Sequence, residues 1–252
     1  MPKTIFITGA TAGFGAAIAR LFATHHWQLI LLGRRQEKLQ QLSKELGEKT
    51  AIHTIAVDVC DAPALHLAIK NLPEAFKNID VLVNNAGLGL GLAPVYEGNL
   101  DDWHTMVDIN IKGLLNCTHA VLPSMVARNH GHIINIGSVA GTWPYPGGNV
   151  YGATKAFVRQ FSLNLHADLV KTALRVTNIE PGAAETEFSV VRFKGDIEKA
   201  AAVYRGMQPL TAEDIANNVH WVITQPPHVN ITTLEIMPTS QSLAGFTIHR
   251  EG

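Results

Sequence analysis

Thr4-Ile5-Phe6-Ile7-Thr8-Gly9-Ala10-Thr11-Ala12-Gly13-Phe14-Gly15 runs from a short apolar strand into a glycine-spaced turn, and then into a helical pattern over Gly13–Thr24. Glycines at 9, 13 and 15 let the backbone turn sharply and come close to a ligand. The helix start behind them offers free N–H groups and a positive dipole end to a pyrophosphate. The spacing is G-x-x-x-G-x-G rather than the commoner G-x-G-x-x-G. A glycine-rich turn alone is a weak signal, but its place after a first strand and before a helix favours a nucleotide loop. Gly9, Thr11, Gly13, Phe14 and Gly15 are therefore expected to line a dinucleotide.

The same alternation continues outward from this stretch. Strands are expected at Thr4–Thr8, Gln28–Leu32, Ile52–Val57, Val81–Asn84, His132–Ile136, Arg175–Ile179 and about Thr232–Met237. Helices are expected at Gly13–Thr24, Gln36–Leu46, Ala62–Leu72, Leu100–Arg128, Asn149–Lys171 and about Ala212–Ile223. Most strand runs are continuously apolar, as strands buried on both faces are. Alternating strands and helices imply βαβ units with right-handed crossovers, and so a single α/β domain over residues 1–252 with a doubly wound parallel sheet of about seven strands. The more polar stretch 183–208 breaks the pattern. It is expected to be a lid over the carboxyl ends of the strands, where such sheets bind ligands.

Composition narrows the function classes. The 252 residues carry 20 Lys plus Arg and 21 Asp plus Glu, a net charge of −1, so no basic field is present to hold nucleic acid or an anionic membrane. The two cysteines, Cys60 and Cys117, form no CxxC pair, and the twelve histidines show no ligand spacing, so neither a disulfide framework nor a metal is expected. The N-terminal apolar run is too short for a signal-peptide core, and no stretch reaches membrane-spanning length. The expectation is a soluble cytoplasmic protein acting on a small molecule.

The end of the second strand chooses the cofactor. An acid there holds the ribose 2′-hydroxyl of NAD, whereas arginine accepts a 2′-phosphate. Here it reads Leu32-Gly33-Arg34-Arg35, which predicts NADP, with Arg34 on the phosphate and Arg35 close by, stacking on adenine. Asp58-Val59 falls where a carboxylate accepts the adenine amino group or caps the next helix. Asn85-Ala86-Gly87 makes a small-residue turn beside the adenosine ribose.

Tyr151-Gly152-Ala153-Thr154-Lys155 places a phenol and an ammonium on one helix face. Free tyrosine titrates near 10, and a neighbouring cation favours the phenolate. Lys155 together with a cationic nicotinamide is expected to supply that stabilisation. Ser138 closes the fifth strand, Asn110 puts an amide inside an apolar helix, and Pro181-Gly182 ends the sixth strand. As alternatives, Ser138 caps a turn and Asn110 is a structural amide.

Taken in order, TGxxxGxG, NNAG, Asn110, Ser138, YxxxK and Pro181-Gly182 resemble the short-chain dehydrogenase/reductase family over essentially the whole chain. The resemblance implies a Rossmann-type fold, NADP held also by Pro181, Gly182 and Thr186, and a homotetramer. It implies Tyr151 as general acid/base, Ser138 on the substrate oxygen, Lys155 on the nicotinamide ribose, and Asn110 supporting a water in a proton relay.

The stretches 141–150, 186–196 and 230–250 further resemble NADP-dependent 3-hydroxy acid dehydrogenases, which act on serine, allo-threonine and related acids. One departure is the short Ala183-Ala184-Glu185 link to Thr186, which puts an acid beside the expected nicotinamide pocket. A 3-hydroxy acid needs a cation for its carboxylate. Arg192 and Lys194 are either that cation or solvated charges. Trp143 and Tyr145 either wall the pocket or pack a loop.

Overall fold

In the computed structural model, which describes residues 2–242, strand β1 (Thr4–Thr8) is buried along its whole length. Ile5 and Ile7 pack on one side of the sheet with Phe22, Leu31 and Val83. Phe6 packs on the other side with Ile30, Leu82 and Val176. That period of two explains the continuous apolar run: both faces of the strand need apolar residues. Each such side chain contributes about 1.5–3 kcal/mol on burial.

The sheet has seven parallel strands in the order β3-β2-β1-β4-β5-β6-β7. The others are β2 (Gln28–Gly33), β3 (Ile52–Ala56), β4 (Val81–Asn84), β5 (His132–Ile136), β6 (Arg175–Pro181) and β7 (Thr233–Ile236). Helices α1 (Gly13–Thr24), α2 (Gln36–Leu46) and α9 (Ala212–Thr224) contribute to the core on one face. Helices α3 (Ala62–Lys70), α5 (Leu114–Arg128) and α6 (Asn149–Asp168) contribute on the other. Strand order reverses at β1, which pairs with both β2 and β4, and a crevice opens there at the carboxyl ends.

The helix expected over Leu100–Arg128 is interrupted. It consists of α4 (Leu100–Val107), a π-helical segment Asp108–Gly113, and α5. The wider turn carries Asn110 inward, and Gly113 fits because a Cβ there would lie 2.6 Å from a Val59 methyl. Other boundaries move by one to three residues: β6 runs on to Pro181 because β7 pairs with it through Ile236, and α6 stops at Asp168 rather than Lys171. The stretch 183–208 contains two short helices, α7 (Glu187–Arg192) and α8 (Ile197–Ala202). The tail from 243 through 250, which carries part of the subgroup resemblance, lies outside the described residues.

A row of asparagines crosses the sheet. Asn84, Asn135 and Asn178 are register partners on β4, β5 and β6. Asn84 Nδ2 donates to Asn135 Oδ1 at 2.9 Å, and Asn135 Nδ2 donates to Ser162 Oγ on α6 at 2.8 Å. These buried bonds fix the helix that carries Tyr151 against the central strands.

His132, at the start of β5, is 2% exposed and holds Thr177 Oγ1 at 2.8 Å through Nε2. Burial first, and then the Arg175 charge, push its pKa down to about 3 from an ordinary 6.5. The unfolded chain therefore takes up this proton first as pH falls. Stability is expected to decline below about pH 6.5, with this histidine contributing a slope of up to about 1.4 kcal/mol per pH unit. Urea midpoints measured from neutral to mildly acidic pH check this: His132→Gln should flatten the decline, and an unchanged slope would assign it to other groups.

Candidate active site

A cavity of about 660 Å³ spans the carboxyl ends of the strands. It is lined by Gly9 after β1, Arg34 and Arg35 after β2, Asp58 and Val59 after β3, and Asn85, Ala86 and Gly87 after β4. Ser138 follows β5, Pro181 and Gly182 follow β6, and Tyr151, Lys155 and Arg192 close the far end. Thr11, Gly13, Phe14, Trp143 and Thr186 also face it. The fold thus gathers almost every residue singled out from the sequence into one crevice. Gly15 and Asn110 lie behind its wall.

The glycine loop is locked from below. Thr8 Oγ1 accepts the Asn85 and Ala86 N–H groups at 3.0 and 2.9 Å, while Asn85 Nδ2 donates to the carbonyls of Thr8 and Gly9. The Asn85 side chain thereby braces the loop. Gly9 and Gly13 have φ of +65° and +49°, which other residues adopt only at a cost. A Cβ on Gly15 would strike the Gly9 carbonyl oxygen. Ala12 gives α1 no side-chain cap, and its first turn has no acid, whereas Asp61, Asn99 and Thr211 cap other helices. An uncapped helix start beneath a backbone cradle fits the pyrophosphate of a dinucleotide.

The two arginines stand apart. Arg34 Nη1 lies 3.6 Å from Asp58 Oδ2. Arg35 donates to Thr11 Oγ1 through Nε and Nη2 at 3.2 and 2.9 Å. Its Nη1 meets Glu187 at 3.2 Å, and Lys38 meets the same carboxylate at 3.1 Å. Asp58 is no helix cap: Asp61 performs that task for α3, and Asp58 Oδ1 accepts the Cys60 N–H at 2.9 Å. Sequence reasoning did not find Glu187, because its partners lie about 150 residues away and only the fold brings them together.

At the reacting end, Tyr151 hydrogen-bonds with Ser138, and Ser138 Oγ lies 3.4 Å from the Pro181 carbonyl. Lys155, 6% exposed, donates from Nζ to the Ile136 carbonyl at 2.8 Å, and burial lowers its ammonium to about 8. Asn110 Oδ1 accepts the Leu88 N–H at 2.8 Å, and its Nδ2 donates to the Leu88 carbonyl at 2.8 Å and to Thr154 Oγ1 at 3.0 Å. Its side chain therefore clamps the segment after β4 to α6.

Two cations flank the Tyr151 ring. The Arg192 guanidinium carbon sits 4.8 Å from the Tyr151 ring centroid, and Lys155 Nζ sits 5.9 Å from it. Burial pushes the phenol up to about 12, and Arg192 and the Ser138 hydrogen bond oppose that rise.

Arg192 also lies 4.8 Å over the Phe188 ring and donates to Tyr145 Oη at 3.3 Å. Its Nε is buried without a hydrogen-bond partner, and it forms no ion pair among the described residues. Lys194, by contrast, pairs with Asp102 at 2.9 Å and lies off the cavity. Glu185 is also off it: the residue is exposed, and its N–H donates to the Leu210 carbonyl at 2.9 Å, so the shortened link puts no acid beside the pocket. Trp143 Nε1 donates to Glu235 on β7 at 2.8 Å, which holds the indole at the cavity wall. Phe188 and Tyr204 are lining residues that periodicity did not reveal.

Comparison with known proteins agrees with this arrangement. The short chain dehydrogenase profile matches residues 3–196. The chain is 58% identical to the NADP-dependent 3-hydroxy acid dehydrogenase YdfG of Salmonella typhi, over 98% of this chain and 99% of that one. It is 54% identical to serine 3-dehydrogenase of Rhizobium radiobacter across the full length of both. The closed form of serine dehydrogenase complexed with NADP+ superposes with a TM-score of 0.95 at 57% identity, covering 98% of this chain and all of that one. The chain belongs to the short-chain dehydrogenase/reductase family.

Proposed function

We propose that the protein is an NADP-dependent dehydrogenase of short 3-hydroxy acids, among them serine, allo-threonine and 3-hydroxyisobutyrate. The observation that carries this reading is Arg192: an arginine without an acidic partner among the described residues, its Nε buried and unbonded, beside Tyr151 on the cavity wall. A substrate carboxylate gives such a guanidinium a charge-assisted partner. The activities of the relatives at 54–58% identity support the same substrate class.

The glycine loop and the α1 start would hold the pyrophosphate, and Arg34 the 2′-phosphate with Arg35 close by. Asp58 and Val59 would flank the adenine, Lys155 would take the nicotinamide ribose hydroxyls, and Pro181, Gly182 and Thr186 would bound the nicotinamide. When bound, the cofactor supplies the hydride chemistry. Ser138 donates to the substrate oxygen, and Tyr151 takes the hydroxyl proton in oxidation or returns it in reduction. Stretch 183–208 acts as a lid, with α7 spanning from Arg35 at one end to Tyr151 at the other.

The same reading extends to a homotetramer, supported by exposed Val95, Tyr96, Leu100 and Val126, and to the cytoplasm, where the free thiols Cys60 and Cys117 stay reduced. Cofactor reduction with L-serine, L-allo-threonine and 3-hydroxyisobutyrate tests the function. Turnover is expected with NADP in strong preference to NAD. Binding of NADP without turnover of any of these acids would overturn the substrate class and leave the fold untouched.

A further inference from the structure

Glu180 is a buried acid for which the proposed chemistry has no use. It lies on β6 one residue before Pro181, whose carbonyl faces Ser138, and its side chain is 2% exposed. Its Oε1 accepts Asn178 Nδ2 at 2.7 Å and lies 3.1 Å from Arg159 Nε, while its Oε2 accepts Thr142 Oγ1 at 3.2 Å. These partners come from three places. Asn178 shares β6, Thr142 belongs to the segment that starts at Ser138, and Arg159 sits on α6. Tyr151, Lys155 and Arg159 are spaced i, i+4, i+8, so they share one face of that helix. Lys155 ties this face to β5 through the Ile136 carbonyl, and Arg159 ties it to β6. Glu235, the register partner of Glu180 on β7, holds Trp143, so adjacent carboxylates pin consecutive residues of the Ser138 segment.

We propose that Glu180 is a positioning residue for proton transfer: by holding Thr142 and Arg159 at once, it fixes Ser138 and Tyr151 relative to each other. This rests on those two residues serving the dehydrogenase proposed above. A buried carboxylate is costly unless it is paired and hydrogen-bonded, and here the groups that offset the cost lie on the two elements that carry the reacting side chains. A well-packed apolar residue of similar size would serve the fold as well, so stability alone does not explain an acid at this position. Geometry does. A misplacement of about 1 Å between reacting groups costs about 100-fold in rate.

Three substitutions test this, with kcat measured per NADP-binding site for 3-hydroxyisobutyrate and for its amide. Glu180→Gln preserves the frame: Oε1 still accepts from Asn178 and faces Arg159, and the new amide nitrogen donates to the Thr142 hydroxyl. It should keep kcat within about threefold, whereas Glu180→Leu, which fills the space without a bond, should lower kcat by about 100-fold. Thr142→Val cuts only the link to the Ser138 segment and should lower kcat by about tenfold; it keeps the test open if Glu180→Leu does not fold. KM and NADP affinity should stay within about twofold, and acid and amide should suffer equally, because Arg192 and the glycine loop are untouched. Retained kcat in Glu180→Leu and Thr142→Val overturns the inference. So does a Glu180→Gln loss as large as that of Glu180→Leu, which would put the charge rather than the frame in control, or a loss of NADP affinity in step with turnover. Turnover of the amide but not the acid by the unsubstituted protein overturns the substrate class alone, and the ratios between variants still decide the role of Glu180. A crystal structure of Thr142→Val decides it without substrate: the Ser138–Tyr151 hydrogen bond should be broken, and an intact one overturns the inference.

Discussion

Tyr151→Phe is expected to lower kcat/KM for NADP-linked oxidation by about 10³-fold, in the range measured for the loss of a positioned acid/base group. The phenol hydroxyl is the atom lost, and the ring remains to pack beside Arg192 and Phe188, whose contacts are with the ring face. The pocket walls, the glycine loop and both arginines are untouched. NADP affinity should therefore stay within about twofold, the scatter expected when no charged contact is removed. Fluorescence titration of NADP beside steady-state kinetics separates the two effects. A drop in affinity matching the drop in turnover would place Tyr151 in cofactor binding rather than proton transfer.

Replacing Arg34 and Arg35 together by Ala should weaken NADP by about 100-fold, equivalent to about 2.7 kcal/mol. Hydrogen bonds to charged groups contribute about 1.5–3 kcal/mol each, but these side chains are 64% and 47% exposed, so solvent screening discounts the sum. Loss of Arg35 also leaves Glu187 with Lys38 alone beside the phosphate site. NAD, with a hydroxyl in place of the phosphate, should change much less. Calorimetric titration of both cofactors checks the difference, and equal losses for the two would show that the arginines organise the loop rather than read the phosphate.

Much of this was legible in the sequence because it depends on local rules. Continuous apolar runs such as Leu29–Leu32 identify strands buried on both faces, and β1, β4 and β5 are buried throughout. Strand ends mark the ligand side of a parallel sheet, so the positions of Gly9, Arg34, Asp58, Ser138 and Pro181 along the chain already assign them to one crevice. What escaped depends on tertiary contact. The π-helical turn at Asn110 arises from its grip on Leu88, and no 3.6-residue pattern announces it. Lys155 satisfies the i, i+4 geometry with Tyr151, yet its ammonium is drawn to a β5 carbonyl, which sequence spacing does not reveal. Arg192 and Lys194 look alike in sequence, and Asp102 decides between them by pairing with Lys194.

The most direct test compares NADP reduction by 3-hydroxyisobutyrate with that by its amide, as a ratio of kcat/KM values. A carboxylate read by Arg192 should favour the acid by about 100-fold, the worth of one charge-assisted bidentate contact. Equal rates, or preference for the amide, would mean that the site recognises a neutral carbonyl compound and that Arg192 does not read the carboxylate.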